Sequence, residues 1–225
     1  MTVKENFEKI QHEIQVACQR VGRNVEDVKI IAVTKYVSDE RATEAIEAGI
    51  KHIGENRAEE GLRKWQILNG KATWHFIGTL QSRKVKEIIE QFDYIHSLDR
   101  LSLAKEIEKR AKKKVKCFVQ VNISQEATKH GLDVKGVIPF ISELSQFPSI
   151  EVVGLMTMAP YVENPEETRK YFSALKQLQK DVQALQLPYA PCAELSMGMS
   201  NDFQVAIEEG ATYIRLGTSL VGKEI

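Results

Sequence analysis

Along the first helical stretch the apolar residues recur three and four positions apart: Phe7, Ile10, Ile14, Ala17 and Val21. That spacing gathers them on one face of a helix, and Gly22 supplies a stop. The pattern then changes to Val28-Lys-Ile-Ile-Ala-Val-Thr34, a short β-branched run that reads as a buried strand. From here strand and helix patterns alternate. Ser38 is placed to cap a helix ending at Gly49, His52-Ile53-Gly54 resumes a strand, and residues 56–68 are helical in pattern. Trp74-His75-Phe76-Ile77 is a third strand, with a helix over roughly 81–91. Tyr94-Ile95-His96 is a fourth, and Asp99 follows as the N-cap of a Lys/Glu-rich helix. Val115 to Ile123 is a longer strand, followed by a helix around 134–146 and the strand Val152–Met156. A long helix over 165–186 closes at Pro188. Ala193-Glu194-Leu195-Ser196 is the weakest strand, 201–209 is helical, and Tyr213-Ile214-Arg215-Leu216 ends the series.

Eight strands separated by helices, with no break in composition, predict an α/β chain folded as one domain over 1–225. Its architecture is a single (β/α)8 TIM-type barrel preceded by an N-terminal helix. An open doubly wound sheet is the competing arrangement, and losing the seventh strand would favour it. The Gly-x-Gly-x-x-Gly fingerprint of dinucleotide folds is absent, which argues against that alternative.

Composition narrows the chemistry. A chain of 225 residues can bury about 70–75% of its unfolded surface and needs no covalent staples. Lys+Arg and Asp+Glu balance at 31 each, which excludes broad affinity for nucleic acid or an anionic membrane while leaving room for a local anion site. Cys18, Cys117 and Cys192 are far apart, form no CxxC, and read as buried free thiols; no His/Cys cluster suggests a metal. The polar N-terminus leads directly into an amphipathic pattern, so no signal peptide is expected. No apolar run approaches the ~20 residues of a membrane helix, and a cytoplasmic location follows. The sequon Asn122-Ile123-Ser124 is therefore expected to stay unmodified.

In a parallel barrel the chemistry stands at the C-terminal ends of the strands. Just past each predicted strand come Lys35, Glu55-Asn56, Gly78, Ser97, Asn122, Thr157, Ser196 to Ser200, and Arg215 to Thr218: a polar rim over an apolar core. Two parts of that rim carry a specific expectation. Lys35 directly follows Ile30-Ile31-Ala32-Val33-Thr34, and an amine beside an apolar floor is costly to charge, which favours the neutral nucleophile of Schiff-base chemistry. Gly198, Ser200, Gly217 and Thr218 are small, so amides and hydroxyls can approach a ligand. Ser200 is placed where a helix begins, at a corner where barrels often bind phosphate. Gly217 to Lys223 has P-loop spacing, but Glu224 replaces the required hydroxyl residue. His75 and His96 are read as satisfied core or rim histidines, and the basic run Lys109–Lys114 as the solvated end of a helix.

Six segments taken together resemble one family. They are Ala32-Val33-Thr34-Lys35; Gly54-Glu55-Asn56; Trp74 to Gln81; Gly154-Leu155-Met156-Thr157-Met158; Ser196 to Asp202; and Ile214-Arg215-Leu216-Gly217-Thr218. In this order they resemble the pyridoxal phosphate homeostasis proteins, one-domain relatives of the alanine racemase barrel. The match runs from the first strand to residue 222, and only Leu220-Val221-Gly222 departs, where many relatives carry an aromatic before the glycine. The resemblance implies a fold-type III barrel with pyridoxal 5'-phosphate bound as an aldimine to Lys35. It implies phosphate contacts from Ser200, Gly217 and Thr218, Asn56 and Ser196 near the cofactor, and Arg215 beside the pyridine nitrogen. Arginine donates without a proton to yield, so the ring should stay unprotonated and be a poor electron sink. Racemisation also needs a second acid/base on the opposite face, which racemases draw from another domain, and neither Tyr36 nor Tyr161 is assigned there. The expected role is to hold the cofactor in intracellular homeostasis, as a monomer, with pyridoxal phosphate-dependent apoenzymes as recipients. A weak racemase is the alternative, and a phosphate-binding barrel with no aldimine a third. Lys129, in the loop Glu126–Gly131, is read as a plain exposed lysine.

Overall fold

The computed structural model describes residues 2–68, 70–127 and 130–222, so Lys129 and the end of the P-loop-like segment lie outside the described residues. Eight parallel strands close into a barrel in sequence order, β1 pairing with both β2 and β8. They are β1 Lys29–Val33, β2 His52–Glu55, β3 Thr73–Phe76, β4 Tyr94–Leu98, β5 Val115–Gln120, β6 Ile150–Met156, β7 Glu194–Ser196 and β8 Tyr213–Leu216. Closure decides against the open sheet. The short β7 survives because it is paired on both edges, through Gly154↔Glu194 on one side and Ser196↔Tyr213 on the other.

Helices α1 Val3–Arg20, α2 Asp39–Glu47, α3 Ala58–Leu68, α4 Val85–Ile88, α5 Leu101–Arg110, α6 Val134–Glu143, α7 Arg169–Ala184 and α8 Phe203–Glu208 surround it. No helix is described after β8. Instead α1 packs between α8 and α2, closing the ring of helices. Its apolar stripe buries Ile10, Ile14 and Ala17, a Thr2/Glu5 capping box starts it, and Gly22 at φ +66° ends it. Ser38 caps α2 as its position suggested, accepting from the Arg41 N–H at 3.2 Å. No described helix is long and apolar enough to cross a membrane. All three cysteines are buried free thiols.

Several boundaries differ from the expected ones. The 81–91 helix is a 3-10 turn over Ser82–Lys84 followed by the single turn of α4, with no side-chain cap to extend it. Asp99 does not cap α5. Its carboxylate pairs with Arg100 at 2.8 Å, and that guanidinium also donates to the Leu80 carbonyl at 2.6 Å. The fifth strand stops at Gln120 rather than Ile123, since Leu132 and Val121 then form only an isolated bridge.

The barrel interior is less apolar than the periodicity suggested. Ile31, Phe118, Val153, Met156 and Tyr213 fill it together with Tyr94 and three histidines. His75 stacks on Tyr94 at 4.6 Å between ring centroids, and His96 on Phe118 at 4.2 Å.

Candidate functional site

A cavity of about 520 Å³ opens at the C-terminal end of the strands, within the size range of small-molecule pockets. Six of the seven residues expected at the site line it: Lys35, Asn56, Ser200, Arg215, Gly217 and Thr218. Ser196 lies just below. It is fully buried, and its hydroxyl accepts from Arg215 Nη1 at 2.7 Å. Arg215 Nη2 donates to the Thr157 carbonyl at 2.9 Å, so two side-chain donors are anchored to the protein. Burial lowers the Arg215 guanidinium to about 10, with Asp202 opposing, and it remains charged at neutral pH. No Asp or Glu is among the described residues lining the cavity.

Lys35 leaves the end of β1 half-buried, its Nζ 4.8 Å from the centre of the Tyr36 ring. Asn56 follows β2, and its side-chain oxygen is buried without a hydrogen-bond partner. Gly78 is needed beside it, because a Cβ there would stand 2.6 Å from the Asn56 carbonyl oxygen. One buried cluster fixes both strand ends. Lys64 from α3 donates to Glu55 at 2.9 Å and to the Thr34 carbonyl, while the Thr34 hydroxyl donates to the same Glu55 oxygen. Burial pushes the Glu55 carboxyl up, with Lys64 and the Thr34 hydroxyl opposing. The residues just before Lys35 and Asn56 are thereby tied together.

The loops after β7 and β8 meet at Ser200 and Ser219, whose hydroxyls are 2.9 Å apart. One expectation here is corrected. The helix does not begin at Ser200: α8 starts at Phe203 and has six residues. Gly198 turns the chain at φ +93°, and the Asp202 carboxylate takes the Met199 N–H at 2.7 Å. An anion at this corner would therefore meet loop amides and two hydroxyls rather than a helix end.

Gln120 is a residue the sequence pattern did not single out. It is 4% exposed and lines the cavity at the end of β5, in phase with the inward-facing Phe118. Asn122, expected at the rim, instead donates to the Glu126 carbonyl at 2.8 Å and braces its own loop. The phase of Phe118 is the available signal, obscured because Val119, Val121 and Ile123 continue the apolar pattern past the strand's end at Gln120. Glu55 and Ser97 are buried rather than presented at the rim, and Thr157 donates its hydroxyl to the Val121 carbonyl. His75 and His96 are buried and hydrogen-bonded, to His52, to each other and to Ser196, as expected of satisfied core residues. No metal-binding group occurs among the described residues.

Comparison with known proteins places these features in a wider set. The alanine racemase N-terminal domain family matches residues 6–224. A pyridoxal phosphate homeostasis protein of Aquifex aeolicus is 41% identical over 99% of both chains. One from Vibrio alginolyticus is 34% identical over 98% of this chain and 97% of its own. The structure of PipY from Synechococcus elongatus PCC7942 with pyridoxal phosphate bound superposes with a TM-score of 0.84 at 32% identity, covering 98% of this chain and 100% of that one. Alanine racemase from Corynebacterium glutamicum shares the fold, with a TM-score of 0.73 at 17% identity, covering 96% of this chain and 62% of the racemase.

Proposed function

The chain belongs to the pyridoxal phosphate homeostasis proteins, a branch of the alanine racemase N-terminal domain family, and we propose that it holds pyridoxal 5'-phosphate on Lys35 without turning a substrate over. One observation carries this reading. The cavity combines a half-buried lysine, a buried arginine and no carboxylate among its described lining residues. That donor set fits an anionic phosphate and an aldehyde. It does not fit a ring nitrogen kept protonated by an acidic partner. The orphaned Asn56 oxygen also fits a ligand that supplies a polar partner.

When bound, the cofactor supplies an aldehyde with which a neutral amine condenses, releasing water. The protein does the rest. Lys35 Nζ is the nucleophile. Ser200, Gly217 and Thr218 would offer hydroxyls and amides to the phosphate, and Asn56 would supply a polar partner to the ring system. Arg215, held by Ser196 and Thr157, would stand as the donor to the ring nitrogen. A permanent donor there has no proton to give, so electron withdrawal into the ring would be weaker and the carbon–hydrogen bonds of a bound amino acid less activated than with an acidic partner. Holding the cofactor limits its free aldehyde, and pyridoxal phosphate-dependent apoenzymes are the recipients this role implies.

Titrating the purified chain with pyridoxal phosphate tests the reading. A Lys35-dependent absorption band should saturate at one cofactor per chain and be missing in Lys35→Ala. No band, or a band that the variant keeps, would overturn it.

A further inference from the structure

Three histidines cross the barrel interior in single file. His52 Nδ1 is 3.0 Å from His75 Nε2, His75 Nδ1 is 2.9 Å from His96 Nε2, and His96 Nδ1 is 2.9 Å from Ser196 Oγ. The last atom also accepts from Arg215 Nη1 at 2.7 Å. His52 opens β2 at the N-terminal mouth, whereas Ser196 and Arg215 stand beneath and in the cofactor cavity. The chain therefore joins the two ends of the barrel.

Its direction follows from donor and acceptor counting. Arg215 can only donate, so the Ser196 oxygen is an acceptor in that bond. If His96 also donated to Ser196, the buried hydroxyl proton would be left without an acceptor, which burial makes costly. Ser196 therefore donates to His96 Nδ1. His96 must then carry its proton on Nε2 and donate to His75 Nδ1. His75 donates through Nε2 to His52 Nδ1, and His52 keeps its own Nε2 proton at the mouth.

We propose that His52, His75 and His96 are positioning residues for Arg215. They form a hydrogen-bond chain of one polarity, all in the Nε2–H form, that holds the Ser196 hydroxyl beneath the guanidinium. The charged surroundings support neutral rings. Lys29 of β1 faces His52 and His75, Lys51 stands beside His52, and Arg215 of β8 faces His96; each disfavours an imidazolium. Asp93 before β4 and Glu194 of β7 act in the opposite sense on His52, while Tyr94 and Tyr213 pack on the rings. Burial outweighs the two carboxylates. It lowers His52 to about 4 and holds His75 and His96 well below the ordinary histidine value. The consequence for the cofactor rests on the function proposed above, but the polarity does not.

Nitrogen NMR on the full chain labelled at histidine, without cofactor, reads the polarity directly. At neutral pH the three interior histidines should each show a bare Nδ1 and a protonated Nε2, with the exposed His12 and His130 as internal references. Arg215→Met and Ser196→Ala each remove the origin of the polarity. Either should convert His96, and with it the distant His52, to mixed tautomers. Protonated Nδ1, mixed tautomers or imidazolium in the unmodified chain would overturn the proposal, and so would an ordered His52 in both variants. A Lys35-dependent absorption band with disordered tautomers would refute the chain alone. Ordered tautomers without that band would refute only the cofactor reading.

Discussion

Three imidazoles buried inside a barrel make stability depend on pH in a direction that can be worked out residue by residue. In the folded chain His52 is lowered from 6.5 to about 4, and His75 and His96 are also held down, in each case chiefly because burial penalises the charged ring. The unfolded chain therefore binds protons below about pH 6.5 that the folded chain refuses. Stability should be full above that value and fall as the pH drops toward 4, where His52 itself begins to protonate in the fold. Each histidine adds a slope of up to about 1.4 kcal/mol per pH unit. Urea midpoints measured from about pH 7 down to about pH 5 should fall steadily. Midpoints unchanged over that range would mean that the interior rings accept protons without unfolding. The sequence showed these histidines one by one but not their contact. They recur once in each of three successive strands, His52, His75 and His96, on the inward face. Only the barrel's curvature brings that face together.

At the scale of elements, the Lys64–Glu55 pair joins α3 to β2 and, through Thr34, to β1. Both side chains are almost completely buried, at 2% and 0% exposure. Removing one partner leaves the other without compensation, so Lys64→Met should lower the unfolding free energy by about 3–5 kcal/mol. Lys64→Met combined with Glu55→Gln should recover part of that loss. Denaturant titration of the two variants and of Glu55→Gln alone checks both statements, and a double-variant loss equal to the sum of the single losses would show that the pair is not coupled. This clamp was invisible in the sequence because Lys64 lies in a helix whose polar residues are mostly exposed, and only tertiary packing turns it inward. The strands themselves were readable. Buried parallel strands need near-continuous apolar, β-branched runs; Ile30 to Val33 and Val152 to Met156 show them, and Tyr213 to Leu216 does so apart from Arg215. Element ends were less readable because single side-chain bonds set them: Arg100, anchored twenty residues away on the Leu80 carbonyl, claims the Asp99 carboxylate, and Asp202 claims the Met199 amide in the turn before α8.

For the whole molecule, the decisive question is whether the cavity mouth can supply a second proton-transfer group. Six of seven expected site residues converge on one cavity because each lies near or just past the C-terminal end of a strand, and barrel closure brings strand ends together whatever their sequence separation. The side chains above that floor are less constrained. Tyr36 and Tyr161 are the phenols lining the cavity, and they are 60% and 84% exposed. A general acid or base must be held within about 2.6–3.2 Å of the proton it moves. Tyr161 makes no hydrogen bond among the described residues, so nothing locks its phenol over a reacting carbon. On the proposed function Arg215, fixed by Ser196 and Thr157, would meanwhile weaken the driving force for deprotonation at that carbon. The chain loaded with pyridoxal phosphate should therefore interconvert L- and D-alanine no faster than the same concentration of free cofactor, and Tyr161→Phe should change nothing. Turnover clearly above free cofactor, lost in Tyr161→Phe, would instead make this rim tyrosine a catalytic group and the barrel an enzyme. The two outcomes differ in sign as well as size: removing the tyrosine is silent in a holder of the cofactor and abolishes the activity of a racemase.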